Sequence, residues 1–271
     1  MKEVRKFHPF NYGWIQARLS EDEMNHLWKC IENGGDNFKG NLAGNISVSN
    51  LIKDEGNLFF DNVLSKLIAS YCDEYPSYIK KVAQNNYLAD KPIPLKLRKI
   101  WVNKQKQYEF NPVHDHSGLF SFVVWMKIPT DWKDQKEIPI AKESNSSNSI
   151  SNFQFLYSDI FGNLMQHNID MSSQREGEIV FFPSPLQHQV YPFYNCEEER
   201  ISISGNISFD LKLPEPIPSM SEDVKKDSTT PPEWGGWNQV SSSENYSALS
   251  EGSNQEKYDK WWNQSDTGFG L

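Results

Sequence analysis

The pattern of apolar and polar positions in the first part of the chain predicts amphipathic helices. In the segment from Leu19 to Gly35, apolar residues recur at the spacing of one helical face: Met24, Leu27, Trp28 and Ile31. Ser20 and Glu23 form a capping-box pattern at its start, and Gly34 follows the last apolar position. We therefore predict a helix over this segment.

A second helix is predicted between Leu58 and Tyr75. Its apolar face is made of Phe59, Val63, Leu67, Ile68 and Tyr71. Pro76 ends it, because the residue before a proline disfavours the helical conformation. The first 90 residues are expected to be mainly helical.

From Leu95 the pattern changes to short runs rich in β-branched and aromatic residues. These runs cover residues 95–105, 120–129, 152–158, 177–183 and 200–211. Many short strands without intervening helices predict a mainly β fold, a barrel or a double-sheet jelly roll. The polar segment Lys133–Ser151 between two of the runs is expected to be a surface loop or a mobile lid.

The segment 214–271 has no periodic apolar face and is predicted to be a disordered or extended tail. Ten of its residues are acidic and four are basic, so it carries most of the net charge of −9. Its four tryptophans are Trp234, Trp237, Trp261 and Trp262. Two interpretations remain open: the tryptophans pack back on the domain, or they form a docking site for a protein partner.

Composition excludes several classes of protein. At 271 residues with 37% hydrophobic residues, the chain can bury one substantial core. No apolar stretch approaches the roughly 20 residues that span a bilayer, so we expect no membrane association and a cytoplasmic location. The acidic balance argues against a nucleic-acid partner. Three widely spaced cysteines, Cys30, Cys72 and Cys196, argue against a disulfide framework or a thiolate zinc site.

The chemistry of the chain centres on two histidines, His114 and His116. On a strand they lie on one face, roughly 6 to 7 Å apart at their Cα atoms, and Asp115 faces away. His188 lies 72 residues after His116, just past another apolar run. Two ligands two positions apart plus a distant histidine are typical of a facial metal triad. The other three histidines, His8, His26 and His167, are expected to be ordinary polar residues.

A candidate anion-binding residue follows in the next β run. Arg200, Ser202 and Ser204 share one face of this run, and a guanidinium inside a small barrel is costly unless it meets an anion. Its planar fork matches a carboxylate. The alternative is a surface arginine paired with one of the glutamates at 197–199.

These motifs together resemble a known family. The pattern H-x-H, the distant histidine of GEIVFFPSPLQH and the arginine of RISISGNI are similar to those of Fe(II)- and 2-oxoglutarate-dependent oxygenases. The resemblance is to their prolyl-4-hydroxylase-like branch, which is common in phage genomes, and it covers about Ile100 to Phe209. If a phage encodes the chain, the expected location is the host cytoplasm.

The resemblance implies a double-stranded β-helix of the jelly-roll or cupin-like type over residues 95–213. The helical segment 1–94 would pack on it, and 214–271 would be the tail. Fe(II) would be held by His114, His116 and His188. Arg200 would bind the distal carboxylate of the cosubstrate 2-oxoglutarate with help from Ser202, and ascorbate is a further cofactor that the resemblance suggests.

The second ligand departs from the family pattern, in which a carboxylate follows two positions after the first histidine. Three arrangements stay open. His114 and His116 both ligate; or Asp115 swings in from the turn; or His116 is the first ligand and Gly118 occupies the carboxylate position, as in halogenating relatives.

The resemblance implies that the protein is a dioxygenase that hydroxylates a peptidyl or small polar substrate. The apolar walls that exclude water from the site would be Phe120, Phe122, Phe181 and Phe182. One alternative is a cupin-like metal-binding or virion-associated structural module without 2-oxoglutarate turnover, attached through its tail. Another is a cupin-type iron dioxygenase that does not use 2-oxoglutarate.

Overall fold

The computed structural model of the protein describes residues 3–7, 9–85, 93–143 and 149–211. His8 and the segment 214–271 with its four tryptophans lie outside the described residues. Both interpretations of the tail therefore remain predictions.

Strands and helices follow one another in a clear order along the described residues. The strands are β1 (Ile15–Arg18), β2 (Val48–Ile52), β3 (Leu95–Gln105), β4 (Asn111–His114), β5 (Phe120–Lys127), β6 (Phe153–Ser158), β7 (Leu164–Ile169), β8 (Glu178–Pro183), β9 (Gln187–Val190) and β10 (Arg200–Phe209). The α-helices are α1 (Glu21–Glu32), α2 (Ser65–Glu74), α3 (Tyr78–Asn85), α4 (Trp132–Glu137) and α5 (Pro139–Lys142). A π-helical turn, Phe60–Leu64, leads directly into α2.

The strands form two antiparallel sheets. One has the order β1-β8-β5-β10-β3-β2 and the other the order β4-β9-β6-β7. Strands β3 to β10 pass between the two sheets in the winding of a double-stranded β-helix. Apolar side chains of both sheets meet in one buried cluster, which includes Val123, Trp125 and Phe182 from the larger sheet and Phe153 and Phe155 from the smaller. The predicted jelly-roll fold class is confirmed.

Helices α1, α2 and α3 pack on one face of the larger sheet. A second buried cluster joins Leu27 of α1 and Tyr71 of α2 to Phe120, Phe122 and Phe181 of the sheet. Ser20 caps α1 as predicted: its side chain accepts a hydrogen bond from the Glu23 N–H, and the Glu23 side chain accepts one from the Ser20 N–H. Both predicted helices are therefore present.

The N-terminal segment also contributes two strands that the sequence pattern did not indicate. β1 pairs with β8, and β2 pairs with β3, so they extend the larger sheet at its two ends. Strands of four and five residues carry too little periodicity to be recognised, and their partners are distant in the sequence. Through β1 and β2, the described part of the first 90 residues thus shares a sheet with the core.

The segment Lys133–Ser151 differs from the surface loop that its polarity predicts. It contains part of α4 and all of α5, and several of its residues are buried: Gln135, Ala141, Ser149, Ile150 and Ser151. Gln135 is 5% exposed because its side chain donates to the Tyr194 carbonyl and accepts from the Tyr194 N–H. Polar residues can be buried in this way when backbone groups satisfy them.

Two further expectations from the sequence concern disulfide bonds and membrane-spanning helices. Cys30, Cys72 and Cys196 are all free thiols. In the ranges that the structure describes, no helix has the length and apolar character needed to cross a membrane.

Candidate active site

Strand pairing between β4 and β9 brings the three histidines of the predicted triad together. His114 and His188 are register partners, and their ring centroids are 4.3 Å apart. His116 lies two residues beyond β4, where its N–H donates to the Ser184 carbonyl at 2.9 Å. Its ring centroid is 5.1 Å from that of His114 and 5.0 Å from that of His188. One ring nitrogen from each residue lies within 4.8 Å of the other two.

Backbone carbonyls fix the orientation of two of these rings. Nδ1 of His114 lies 2.8 Å from the Pro112 carbonyl, and Nδ1 of His188 lies 2.9 Å from the Leu186 carbonyl. A carbonyl only accepts, so Nδ1 carries the proton and donates in each case. Nε2 therefore keeps the lone pair that a metal ion requires.

Burial favours the neutral form of all three imidazoles. It lowers the pKa of His114, and burial with the nearby His114 lowers the pKa of His116 to about 4. Burial also holds the pKa of His188 well below its usual range. The ring of Phe153 stacks on His188 at a 20° interplanar angle, and Phe182 meets it edge-on. Three neutral nitrogens against an apolar wall form a donor set that suits a divalent transition metal.

The carboxylate that could replace a histidine in the triad lies outside this cluster. Asp115 is exposed, and its oxygens are not among the donor atoms gathered with the three imidazoles. Gly118, the other residue considered, has a backbone reason to be glycine. Its φ is +113°, and a Cβ there would lie 2.7 Å from the Ile207 carbonyl oxygen.

Arg200 lies in the same cavity with most of its hydrogen-bonding capacity unused. It is 3% exposed, and burial lowers the pKa of its guanidinium to about 9. Nη2 donates to the carbonyl and to Oγ of Ser151, both at 2.8 Å, while Nε and Nη1 have no partner. The neighbouring glutamates have other partners: Glu198 pairs with Lys127, and Glu197 accepts from Gln107. A buried cation with free donors is a site for an anion.

The histidines and Arg200 open into one cavity of about 230 Å³ between the two sheets. Ser202 and Ser204 lie beside Arg200 in its wall, as the strand alternation predicts. The rest of the polar wall is made of Ser49, Asn103, Gln105, Asn111 and Asp115. Apart from Arg200 and the exposed Asp115, no acidic, lysine or arginine side chain of the described residues lines this cavity.

Only some of the phenylalanines that the sequence suggested as walls of the site lie at the cavity. Phe182 contacts His188, and Phe122 lines the cavity as well as packing in the helix-facing core, but Phe120 and Phe181 belong to that core alone. Phe153 and Phe155 of β6 take their place around His188. Strand alternation separates Phe181 from Phe182, because neighbouring residues face opposite sides of a sheet.

Three parts of the site were not among the predicted site residues. The segment 42–46 covers the cavity and is tied to the barrel by the Asn45 N–H, which donates to the Phe110 carbonyl. Asn111 places a buried Oδ1 without a partner against Gly44, where a Cβ would lie 1.7 Å away. Ser151 supplies the contacts to Arg200. Each contact is between residues far apart in the chain, or depends on a backbone conformation that spacing does not reveal.

The remaining described histidines have local partners. His26 Nε2 lies 2.8 Å from Asp54 Oδ1 and 3.5 Å from Cys30 Sγ, so these three side chains form a second cluster of donor atoms. The Asp54 carboxylate also accepts the Phe59 and Phe60 N–H groups and so caps the helical turn that follows. The ring of His167 lies 4.7 Å from that of Trp14.

Comparison with known proteins agrees with this geometry. Residues 99–206 match the model of a family described as "Putative 2OG-Fe(II) oxygenase". This part of the chain is similar to the 2OG-Fe(II) oxygenase family. The predicted family resemblance is confirmed, and the matched residues include the three histidines and Arg200. No curated protein is significantly similar to the chain in sequence.

Several solved structures are similar to this chain at low identity. A prolyl-4-hydroxylase from Pseudomonas putida is 16% identical, with 73% of this chain and 93% of that chain covered and a TM-score of 0.40. A prolyl hydroxylase from Trichoplax adhaerens, in complex with a hypoxia inducible factor peptide fragment, is 13% identical over 73% and 83%, with a TM-score of 0.41. HygX from Streptomyces hygroscopicus, with nickel, 2-oxoglutarate and hygromycin B bound, is 10% identical over 73% and 84%, with a TM-score of 0.40.

The matched family implies Fe(II) and 2-oxoglutarate, and the residues of this cavity fit both. Three neutral imidazoles suit Fe(II), and the free N–H groups of buried Arg200 suit a carboxylate.

Proposed function

We propose that the protein is an Fe(II)- and 2-oxoglutarate-dependent dioxygenase that hydroxylates a peptidyl or small polar substrate. The observation that carries this proposal is the placement of three converging neutral histidines and one buried, under-satisfied arginine in a single cavity. Either feature alone has simpler explanations. Together they match the two ends of 2-oxoglutarate, a chelating 2-oxo acid and a distal carboxylate.

In this proposal His114, His116 and His188 would hold the iron, and the Nδ1 contacts of His114 and His188 leave Nε2 of these two residues free to do so. The iron would also bind the 2-oxo acid and oxygen. Bound iron would couple the oxidative decarboxylation of 2-oxoglutarate, which yields succinate and carbon dioxide, to the hydroxylation of a substrate C–H bond.

The remaining residues bind the cosubstrate and exclude water. Arg200 neutralises the distal carboxylate, and Ser202, which also lines the cavity, adds a hydroxyl. Phe153, Phe155 and Phe182 keep the side of the site behind His188 dry.

The cavity wall supports a neutral, hydrogen-bonding substrate. Asn103, Gln105 and Asn111 present amide groups to the cavity, and Asn111 has a buried acceptor without a partner. An unpaired buried acceptor costs about 1 to 3 kcal/mol, so a substrate N–H or O–H that pairs with it would be favoured. Peptide amides and hydroxylated small molecules both offer such donors.

The test is turnover of 2-oxoglutarate by the full chain with Fe(II), oxygen and ascorbate. Succinate formation that needs both iron and oxygen supports the proposal. His188→Ala is the matched variant without activity, and His167→Ala is the control histidine that lies outside the cluster. Iron binding without succinate formation, even with a library of peptides and small molecules added, would favour a metal-binding module instead. Oxygen consumption that is independent of 2-oxoglutarate would favour a cupin-type dioxygenase.

A further inference from the structure

We infer that Ser151 is the positioning residue that fixes the Arg200 guanidinium for the distal carboxylate of the cosubstrate. This inference rests on the proposed function and assigns a role to a residue outside the metal triad. Ser151 lies 49 residues before Arg200, at the end of the polar segment that follows α5.

The contacts with Ser151 leave one part of the Arg200 guanidinium hydrogen-bonded and the other part without a partner. Both Ser151 acceptors, its carbonyl oxygen and its Oγ, lie 2.8 Å from Nη2 of Arg200. An arginine side chain has five N–H groups, two of them on Nη2. The two Ser151 acceptors match the two Nη2 protons and leave the three N–H groups of Nε and Nη1, which are buried and unpartnered.

Phe193 restrains the guanidinium from another direction. The Phe193 ring centroid lies 4.9 Å from Cζ of Arg200, within the range of a cation–π contact. Ser151 holds Nη2, and the ring limits movement of the group as a whole. The free donors are thus held in place before an anion arrives, which lowers the entropy cost of binding.

The Ser151 backbone is itself held in an unusual conformation. Its φ is +66°, in the left-handed region that a serine rarely adopts, and the residue is fully buried. The Ser151 N–H donates to the Pro192 carbonyl at 3.0 Å. Left-handed backbone at a non-glycine residue costs free energy and persists only where the surroundings enforce it.

Hydrogen bonds of the next residue hold the Ser151 backbone in this conformation. Buried Asn152 donates from its side chain to Asp170 at 2.7 Å and accepts from the Met171 N–H at 3.0 Å. Its carbonyl accepts from the Tyr191 N–H at 2.9 Å. The 151–152 segment is therefore anchored to the connections that follow β7 and β9, and this anchoring aims the Ser151 carbonyl at Arg200.

The experiment compares two ligands that differ only at the distal end. 2-Oxoglutarate has the distal carboxylate, and 2-oxobutyrate has the same 2-oxo acid group without it. Dissociation constants are measured by calorimetry on nickel-loaded, full-length protein, so that no turnover is needed. Ser151→Ala removes Oγ, and Ser151→Gly removes it while relieving the positive φ, which keeps a folded variant available.

We expect both variants to bind 2-oxoglutarate about tenfold more weakly, which corresponds to about 1.4 kcal/mol, and 2-oxobutyrate within twofold of the wild type. The control is Ser149→Ala, the same chemical change in the same buried segment. Ser149 bonds to Asn168 and Gln154, not to Arg200, so 2-oxoglutarate binding should stay within twofold of the wild type.

The possible outcomes distinguish a failure of the Ser151 inference from a failure of the proposed function. Ser151 variants that bind 2-oxoglutarate like the wild type, or that lose both ligands equally, overturn the inference alone. A control variant with the same selective loss would also overturn it, because the effect would then belong to the segment. A wild-type protein that does not bind 2-oxoglutarate, or binds it no better than 2-oxobutyrate, overturns the proposed function and this inference with it.

Discussion

His114 and His188 lie directly opposite each other in the β4–β9 pair, with their ring centroids 4.3 Å apart. The chain between them passes through β5 to β8 before it returns to the same place. Each of the two strands has only four residues, so the position of one histidine depends on the strand that carries the other. The triad therefore forms only when β4 and β9 pair.

Replacing any one of His114, His116 and His188 with alanine should remove most of the bound iron. Three imidazoles form the cluster, and a facial site that keeps two of them holds the metal weakly. Asp115→Ala should leave measurable iron, since a neighbour that only tunes a ligand typically changes affinity 10- to 100-fold. Iron content of the purified variants, by elemental analysis, is the measurement.

The matched control for the ligand variants is His167→Ala, which should keep its iron because that ring packs on Trp14. Iron that is retained in the His116 variant but lost in the Asp115 variant would show that the chain uses a carboxylate ligand. The three-histidine arrangement would then be wrong.

Arg200→Ala should raise the 2-oxoglutarate requirement about 10- to 100-fold and leave iron content nearly unchanged. The lost interaction is a charge-assisted contact, worth about 1.5 to 3 kcal/mol. The KM for 2-oxoglutarate and the iron stoichiometry are measured on the same sample. Arg5→Ala is the control, because Arg5 is exposed and forms an ion pair with nearby Glu3. An unchanged KM in the Arg200 variant would contradict the assignment.

Gly205→Ala should lower the free energy of unfolding by about 1 to 3 kcal/mol. A Cβ on Gly205 would lie 2.6 Å from the Phe122 ring and 2.8 Å from the Lys99 carbonyl oxygen, and neither can move away within the sheet. Gly40→Ala is the control: nothing lies within 4 Å of its added Cβ, and its φ is not positive. It should have no effect or stabilise by up to about 1 kcal/mol. Urea unfolding of both variants measures the difference, and equal stabilities would contradict the packing argument.

A chain truncated after Leu213 should stay soluble, bind iron and decarboxylate 2-oxoglutarate without a substrate. The last strand within the described residues ends at Phe209, and the removed segment lacks the apolar periodicity of a core element. Circular dichroism, iron content and succinate formation are compared with those of the full chain. An insoluble or metal-free product would mean that Trp234, Trp237, Trp261 and Trp262 are structural.

The sequence by itself determined the elements whose signal is local. The capping box at Ser20 and Glu23 fixed the start of α1, and the run 95–105 coincides with β3. The runs that became β5, β6, β8 and β10 were each recognised to within one or two residues. Their side-chain alternation and their length are properties of neighbouring residues, which can be read without knowing the fold. The family motifs could be read for the same reason.

Only the tertiary structure decided which distant residues meet. Strands β1, β2, β4 and β9 are too short to be recognised alone and exist because a partner strand satisfies their backbone groups. The gathering of three imidazoles apart from Asp115, and the contact of Ser151 with Arg200, depend on pairing and on one left-handed residue. Spacing along a chain does not encode such contacts, because they are set by hydrogen bonds between segments that come together only when the barrel closes.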